Sequence, residues 1–495
     1  MPQANRTSAP PVTGNSGRPP GGVILALDSA PLTRFHYRAA LTAGVGFFTD
    51  AYDLFVVGAV LVILKSQWHL TASQASLASA AALGAAFIGA VVFGRIADVF
   101  GRRRIYGLEA AIMVVGALGS AFSPTFLWLI LFRVIVGIGI GGDYPVSAVI
   151  MSEYANVKDR GRLVAMVFSM QAAGLVIGPL TGIILLAVGF SHDTVWRMLF
   201  GFGAIPAAAV IYLRRTLPES PRYQSTVQGR DEEAGERLAA FSGGAVRATP
   251  VSKPAPARRV GVSQLFTNRR LLVTLIGTAG TWFIFDYAYY GNSISTPIIL
   301  RQLAPHASLI ATLALTLAIF AIAAVPGYIL AVFTMDRVGH RRLQIIGFTV
   351  MAACFAAIAA VPQISAAVVP FMVVYGISYF FAEFGPNTTT FVLSAELFPT
   401  SIRTTAHGIS SGVAKIGAFI GVFVFPILSK ALGLRGTLAL TAAFSVAGAL
   451  LSLVLREPSQ RSLDDMELDD GTSEPHGGAD PLDLRQPEEA LTASA

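Results

Sequence analysis

Apolar residues run through this chain in long unbroken blocks rather than in alternation. Stretches of eighteen or more recur over almost its whole length, from "LTAGVGFFTDAYDLFVVGAVLVIL" near the start to "GTLALTAAFSVAGALLSLVL" near the end. A hydrocarbon core about 30 Å thick, crossed at about 1.5 Å per residue, takes roughly 20 such residues per helix. Membrane strands would instead alternate in segments of roughly ten residues. The pattern predicts an all-α polytopic membrane protein with twelve spans. They lie near 39–64, 75–97, 105–123, 125–150, 162–189 and 195–214, then 270–300, 307–333, 342–361, 366–394, 405–431 and 434–455.

Composition agrees: 54% of residues are hydrophobic and 13% charged, against about 25% charged in soluble domains. The formal charge of +7 does not call for a nucleic-acid partner, because the excess Lys and Arg lie in short loops. Arg34 and Arg38 precede the first span, Arg102 to Arg104 follow the second, and Lys158, Arg160 and Arg162 follow the fourth. The connection after the sixth span is also rich in arginine. The alternate loops, such as "KSQWHLTAS" and "PQIS", are poor in both residues. By the positive-inside rule both termini and the central loop are cytoplasmic, and the membrane is a plasma or inner one. The start of the chain has too short an apolar run for a cleavable signal. The single cysteine, Cys354, excludes an intrachain disulfide and a cysteine-rich metal site.

The two halves share motifs in the same order. "DVFGRRR" at Asp98 and "DRVGHRR" at Asp336 follow the second span of each half. "EYANVKDR" at Glu153 and "ELFPTSIR" at Glu396 follow the fourth. Two parallel six-span bundles around a central cavity are expected. The divisions are an N-terminal segment (1–38), a first bundle (39–214), a linker (215–269), a second bundle (270–456) and an acidic tail (457–495). The linker should carry a helix near Asp231 to Phe241, and the tail should be disordered. Asp98 and Arg102, and Asp336 and Arg341, are candidate latch residues between bundles that rock.

Charges inside spans are costly and mark candidate sites. Asp50 and Asp53 share a face of the first span. Arg133 and Tyr144 lie on one face of the fourth, with Asp143 beside them. Between them "GIGIGG" lets another helix approach closely. Gln171 is the polar residue of "FSMQAAG". In the seventh span Trp282, Asp286 and Tyr290 recur every four residues. Glu383 and Asn387 share a face of the tenth, and Lys415 is the cation of the eleventh. Tyr287 and Tyr289 read as packing residues. Asp53 reads equally as structural or functional. The histidines lack metal spacing, no GxxxxGK[ST] loop is present, and no nucleophile–base pair suggests an enzyme. No cofactor is expected.

"GRIADVFGRRR" and "PESPRY" resemble signatures of the major facilitator superfamily. "GGDYPVSAVIMSEYANVKDRG", with "FFTDAYDLF", "FSMQ", "TWFIFD", "FGPNTTTF" and "AHGIS" in order, is similar to the phosphate:proton symporters of fungi and plants. The resemblance covers nearly all twelve spans. It implies that Tyr144, Gln171, Trp282, Asp286, Tyr290 and Asn387 surround inorganic phosphate, with Lys415 matching the eleventh-span lysine. It implies proton movement through Asp50 and Asp143, and it matches Arg133 to an arginine beside the first-span carboxylate. Glu383 departs from the pattern, which commonly has Asn there.

The chemistry is consistent on its own terms. Tyr, Trp, Asn and Gln supply donors to an acceptor-rich anion. An ionised Asp286 repels phosphate and a protonated one donates to it, which would couple anion binding to proton uptake. Two rivals remain open: a sugar or organic-anion cargo on the same fold, and a membrane sensor of phosphate.

Overall fold

A computed structural model describes residues 22–244 and 260–469. Eleven helices in it are long and apolar enough to cross a membrane. The longest, Arg403–Leu451, is broken at Gly433 (φ 68°, ψ 170°), so it makes two passes and the spans number twelve. The others run Arg34–Gln67, Ala72–Phe100, Arg102–Ala121, Phe126–Tyr154, Arg160–Val188 and His192–Arg214, then Arg269–Leu303, Leu309–Val338, His340–Ala360 and Val368–Glu396. Local sequence sets several ends. The Asn268 side chain accepts from the Arg270 and Leu271 N–H groups at the start of the seventh span. Ser308 accepts from Ala311 N at the start of the eighth. Both satisfy orphan N–H groups of a first turn.

Small residues set the packing. The fourth span lies so close to the second that a Cβ at Gly137 or Gly141 would strike the Ala82 or Ala86 carbonyl. This is the close approach expected of "GIGIGG". Breaks fall where polar groups gather. The fifth span changes helix at Met170, just before Gln171. The tenth contains a π-helical turn, Glu383–Asn387, in which Gly385 leaves helical geometry and Pro386 supplies no N–H.

The linker helix forms at Asp231–Phe241, as expected. Phe241 stacks on Phe35 with ring centroids 3.9 Å apart. The tail corrects the expectation of disorder from Glu457 onward. Leu463–Asp469 is helical, Leu463 and Met466 are buried, and Asp464 pairs with Arg222 at 2.8 Å. Arg222 also pairs with Asp28 at the end of a short helix, Val23–Asp28. Burial of Leu463 and Met466, together with a guanidinium flanked by two carboxylates, holds this part of the tail on the rest of the chain. Residues 1–21, 245–259 and 470–495 lie outside the described residues, and the rest of the expected N-terminal segment, linker and tail lies with them.

Candidate functional site

The Trp282–Asp286–Tyr290 stripe faces the interface between the two halves of the chain. Lys415 Nζ lies 2.9 Å from Asp286 Oδ2 and 3.4 Å from Tyr290 Oη. Its charge also sits 4.4 Å from the centre of the Tyr144 ring and 4.6 Å from that of Tyr290. A buried ion pair is tolerable only when hydrogen bonds and ring faces complete the solvation of both charges. Trp282 supports the pair: its side chain interacts with Asp286, and its ring packs on Tyr144, Phe391 and His407.

A chain of polar groups leads on across the interface. Tyr144 and Tyr290 hydroxyls meet at 3.5 Å. Gln171 donates to Tyr144 Oη at 3.2 Å and accepts from Tyr328 Oη at 3.4 Å. Asn387 donates to Tyr328 Oη at 2.8 Å and to Glu383. Tyr289 donates to Glu383 Oε1 at 2.7 Å. The structure thus brings Tyr144, Gln171, Trp282, Asp286, Tyr290, Asn387 and Lys415 into one buried cluster. It adds Tyr328, which the sequence reading missed, although it is a lone phenol in a long apolar run. Tyr289 corrects its reading as a packing residue: it bonds a carboxylate. Tyr287 does pack, stacking on Phe444.

A second buried cluster lies within the first six spans. Arg214 Nη2 grips Asp143 at 2.6 and 2.7 Å, and Arg214 also pairs with Glu109. Ser147 donates to Asp143 as well. Gly46 makes room for the pair, since a Cβ there would collide with both partners. Arg214 and Glu109 escaped the sequence reading because each lies near the end of a span, where a charge reads as a topological signal. Arg133 pairs with Asp53 at 2.7 Å. Of the two first-span carboxylates, it is Asp53 and not Asp50 that lies against Arg133. Neither oxygen of buried Asp50 has a hydrogen-bond partner among the described residues.

The loop motifs join the two halves. Asp98 accepts from Thr404 N (3.3 Å), Thr405 N (2.6 Å) and Thr405 Oγ1 (2.6 Å), so it caps the eleventh span. Arg102 pairs with Asp98 at 3.1 Å and Glu153 at 3.0 Å. Asp336 accepts from Gly161 N (3.1 Å) and Arg162 N (2.7 Å), capping the fifth span. Carboxylates at helix N-termini meet both orphan N–H groups and the positive end of the dipole. Arg341 is the exception among the expected latch residues. Its described bonds go to Leu455 O and Glu457, on its own half, and His340 occupies the position facing Asp336 and Glu396. On the other side of the cluster the first and seventh spans touch, with Gly58 against the Ile294 carbonyl.

Residues 39–467 match the family described as "Sugar (and other) transporter". The chain belongs to this family of transporters. Its relatives include the probable inorganic phosphate transporter 1-6 of Arabidopsis thaliana, 34% identical over 92% of this chain and 97% of the relative. The putative inorganic phosphate transporter 1-13 of Oryza sativa subsp. japonica is 36% identical over 90% and 93%. The low affinity inorganic phosphate transporter 8 of Medicago truncatula is 33% identical over 90% and 92%. The solved major facilitator superfamily proton:xylose symporter XylE, bound to 6-bromo-6-deoxy-D-glucose, has the same fold. Its TM-score is 0.73 at 20% identity, over 88% of this chain and 98% of that one. The transporter is therefore a multi-pass integral membrane protein of the major facilitator superfamily.

Proposed function

We propose that the transporter carries inorganic phosphate together with protons, by alternating access, across a plasma or inner membrane. The observation that carries this is the buried Lys415–Asp286 pair among Tyr144, Tyr290 and Trp282, at the interface between the two halves. While Asp286 is ionised it neutralises Lys415 and repels an anion. A proton on Asp286 releases the lysine charge to the phosphate and turns the carboxyl into a donor. Anion and proton then favour each other's binding. Tyr144 and Gln171 approach from the first half, and Tyr290, Asn387 and Lys415 from the second. A phosphate held between them ties the halves together, which suits a site that must be sealed from both sides in turn.

Protons reach this site by way of Asp50 and Asp143. Burying an unpaired charge costs several kcal/mol, so Asp50 is suited to hold a proton and pass it on. Asp143, held by Arg214, takes part by exchanging that partner, and Arg133 holds Asp53 beside the path. The latches open and close the cytoplasmic side, where both termini lie. The Lys/Arg bias of the loops supports that orientation.

Uptake of radiolabelled phosphate into proteoliposomes tests the proposal. An inward proton gradient should drive accumulation and a protonophore should collapse it. Asp286→Asn should lower gradient-driven accumulation by at least about a hundredfold, the scale of losing about 3 kcal/mol of coupling. Normal accumulation in that variant would remove Asp286 from the mechanism. A second reading, sugar transport, is favoured by one feature: an ionised Glu383 is a negative acceptor, which the hydroxyls of a neutral sugar meet without the charge repulsion an anion suffers. Proton-driven sugar uptake that unlabelled phosphate does not inhibit would establish it instead.

A further inference from the structure

Glu383 is fully buried at the start of the π-helical turn Glu383–Asn387, and the mechanism above leaves it without a role. Every group facing it is neutral. Tyr289 of the seventh span donates to Oε1 at 2.7 Å. Asn387, one turn on, donates to Oε2. Tyr328 of the eighth span lies alongside, with Tyr379 of the tenth further out. Gly327 lets the eighth span close over its Cβ. Among the described residues no cation pairs with Glu383, and the nearest site cation, Lys415, is bound to Asp286.

The arrangement ties Glu383 to a substrate ligand. Asn387 has two N–H donors, and both are engaged, one by Tyr328 and one by Glu383. Phosphate needs donors. As long as Glu383 is ionised it holds the amide and sets a second negative charge near the anion. A proton on Oε2 converts that oxygen from acceptor to donor. The amide is then free to turn to phosphate, and the charge is gone.

We propose that Glu383 is a second proton-binding carboxyl of the transport cycle, acting as a positioning residue whose proton controls whether Asn387 is available to phosphate. The proton enters with the anion and leaves with it. This rests on the phosphate reading above. It predicts two protons moved per dihydrogen phosphate ion, one through Asp286 and one through Glu383.

The test is the reversal potential of phosphate flux in proteoliposomes, with set phosphate, proton and voltage gradients. It uses the full chain and its Glu383→Gln variant, which keeps size and an acceptor oxygen. Wild type should reverse at the potential for two protons, and Glu383→Gln at that for one. The KM of the variant should also lose one tenfold-per-unit component of its dependence on external pH. Unchanged stoichiometry and an unchanged KM profile in an active Glu383→Gln protein overturn the proposal. A wild-type value of one proton overturns it without any variant, so the test survives a variant that fails to fold. Wild-type protein that takes up no phosphate overturns the reading beneath it, a separate and distinguishable result.

Discussion

The two loop-motif clusters that join the halves are built on one plan with one chemical difference. In each, an aspartate ends the second span of its half, and a glycine with positive φ follows: Gly101 at 95° and Gly339 at 97°. That backbone conformation suits only glycine without strain. Each aspartate caps a helix of the opposite half. Glu153 and Glu396 then occupy matching places, and so do Arg160 and Arg403, with Arg160 on Glu396 at 3.1 Å and Arg403 on Glu153 at 3.5 Å. The difference follows the glycine. The first half has Arg102, held by two carboxylates and the Thr400 carbonyl. The second has His340, with Asp336, Glu396 and Glu457 at 3.6, 3.7 and 3.9 Å. A guanidinium is charged at every working pH, and an imidazole only when protonated. One scaffold therefore carries a permanent charge in the first cluster and a conditional one in the second.

The largest effect should come from removing the permanent lock. Asp98→Ala leaves Arg102 buried beside one carboxylate fewer and uncaps the eleventh span. Losing this buried, charged cap between the halves costs about 3–5 kcal/mol, taken from the state in which this face is closed. Labelling of a cysteine placed at Thr405 should rise by two orders of magnitude or more. No change would show that Asp98 is not part of the lock.

An intermediate effect should follow from exchanging the two chemistries. The charged His340 attracts three carboxylates and a neutral one does not, so its contribution is present at low pH and is lost as the imidazole gives up its proton. It acts on closure by holding Asp336 and Glu396, which in turn bind Gly161, Arg162 and Arg160 of the other half, an effect of about 1 kcal/mol, a factor of about five in the open-to-closed ratio. Closed-state occupancy, followed by spin-label distances across this face, should fall as pH is raised in the wild type. His340→Arg should abolish that dependence and hold the closed state. If the arginine variant keeps the wild-type pH profile, the histidine is not the sensor.

The smallest effect should come from the tail. Asp464 is partly exposed, and its pair with Arg222 should contribute roughly 0–1 kcal/mol. Asp464→Asn should change the melting temperature by only a few degrees and leave the pH dependence of the gate intact. A shift in the pH profile would mean that the tail and the second latch act as one unit.

Much of this molecule was legible in the chain itself. Apolar blocks of bilayer length and the cost of charge in hydrocarbon are local properties, so the spans follow from sequence alone. So does the repeat, and so does the carboxylate stripe of the seventh span. The partners were not legible. Asp50 and Asp53 lie one turn apart on one face, and periodicity cannot choose which of them meets Arg133. Arg214 reads as a loop charge until the sixth span is set beside the fourth and buries it against Asp143. Tyr289 reads as packing until the π-turn at Glu383 rotates a carboxylate toward it. In the tail, "LDDMELDD" is acidic enough to be solvated by itself, and partners far away in the chain hold it: Arg222, more than two hundred residues earlier, for Asp464, and apolar surface for Leu463 and Met466. Sequence determined which residues must leave the lipid. Tertiary structure decided which of them meet, because pairing depends on the rotation and depth of separate helices, and those are set by glycine contacts and helix breaks far apart in the chain.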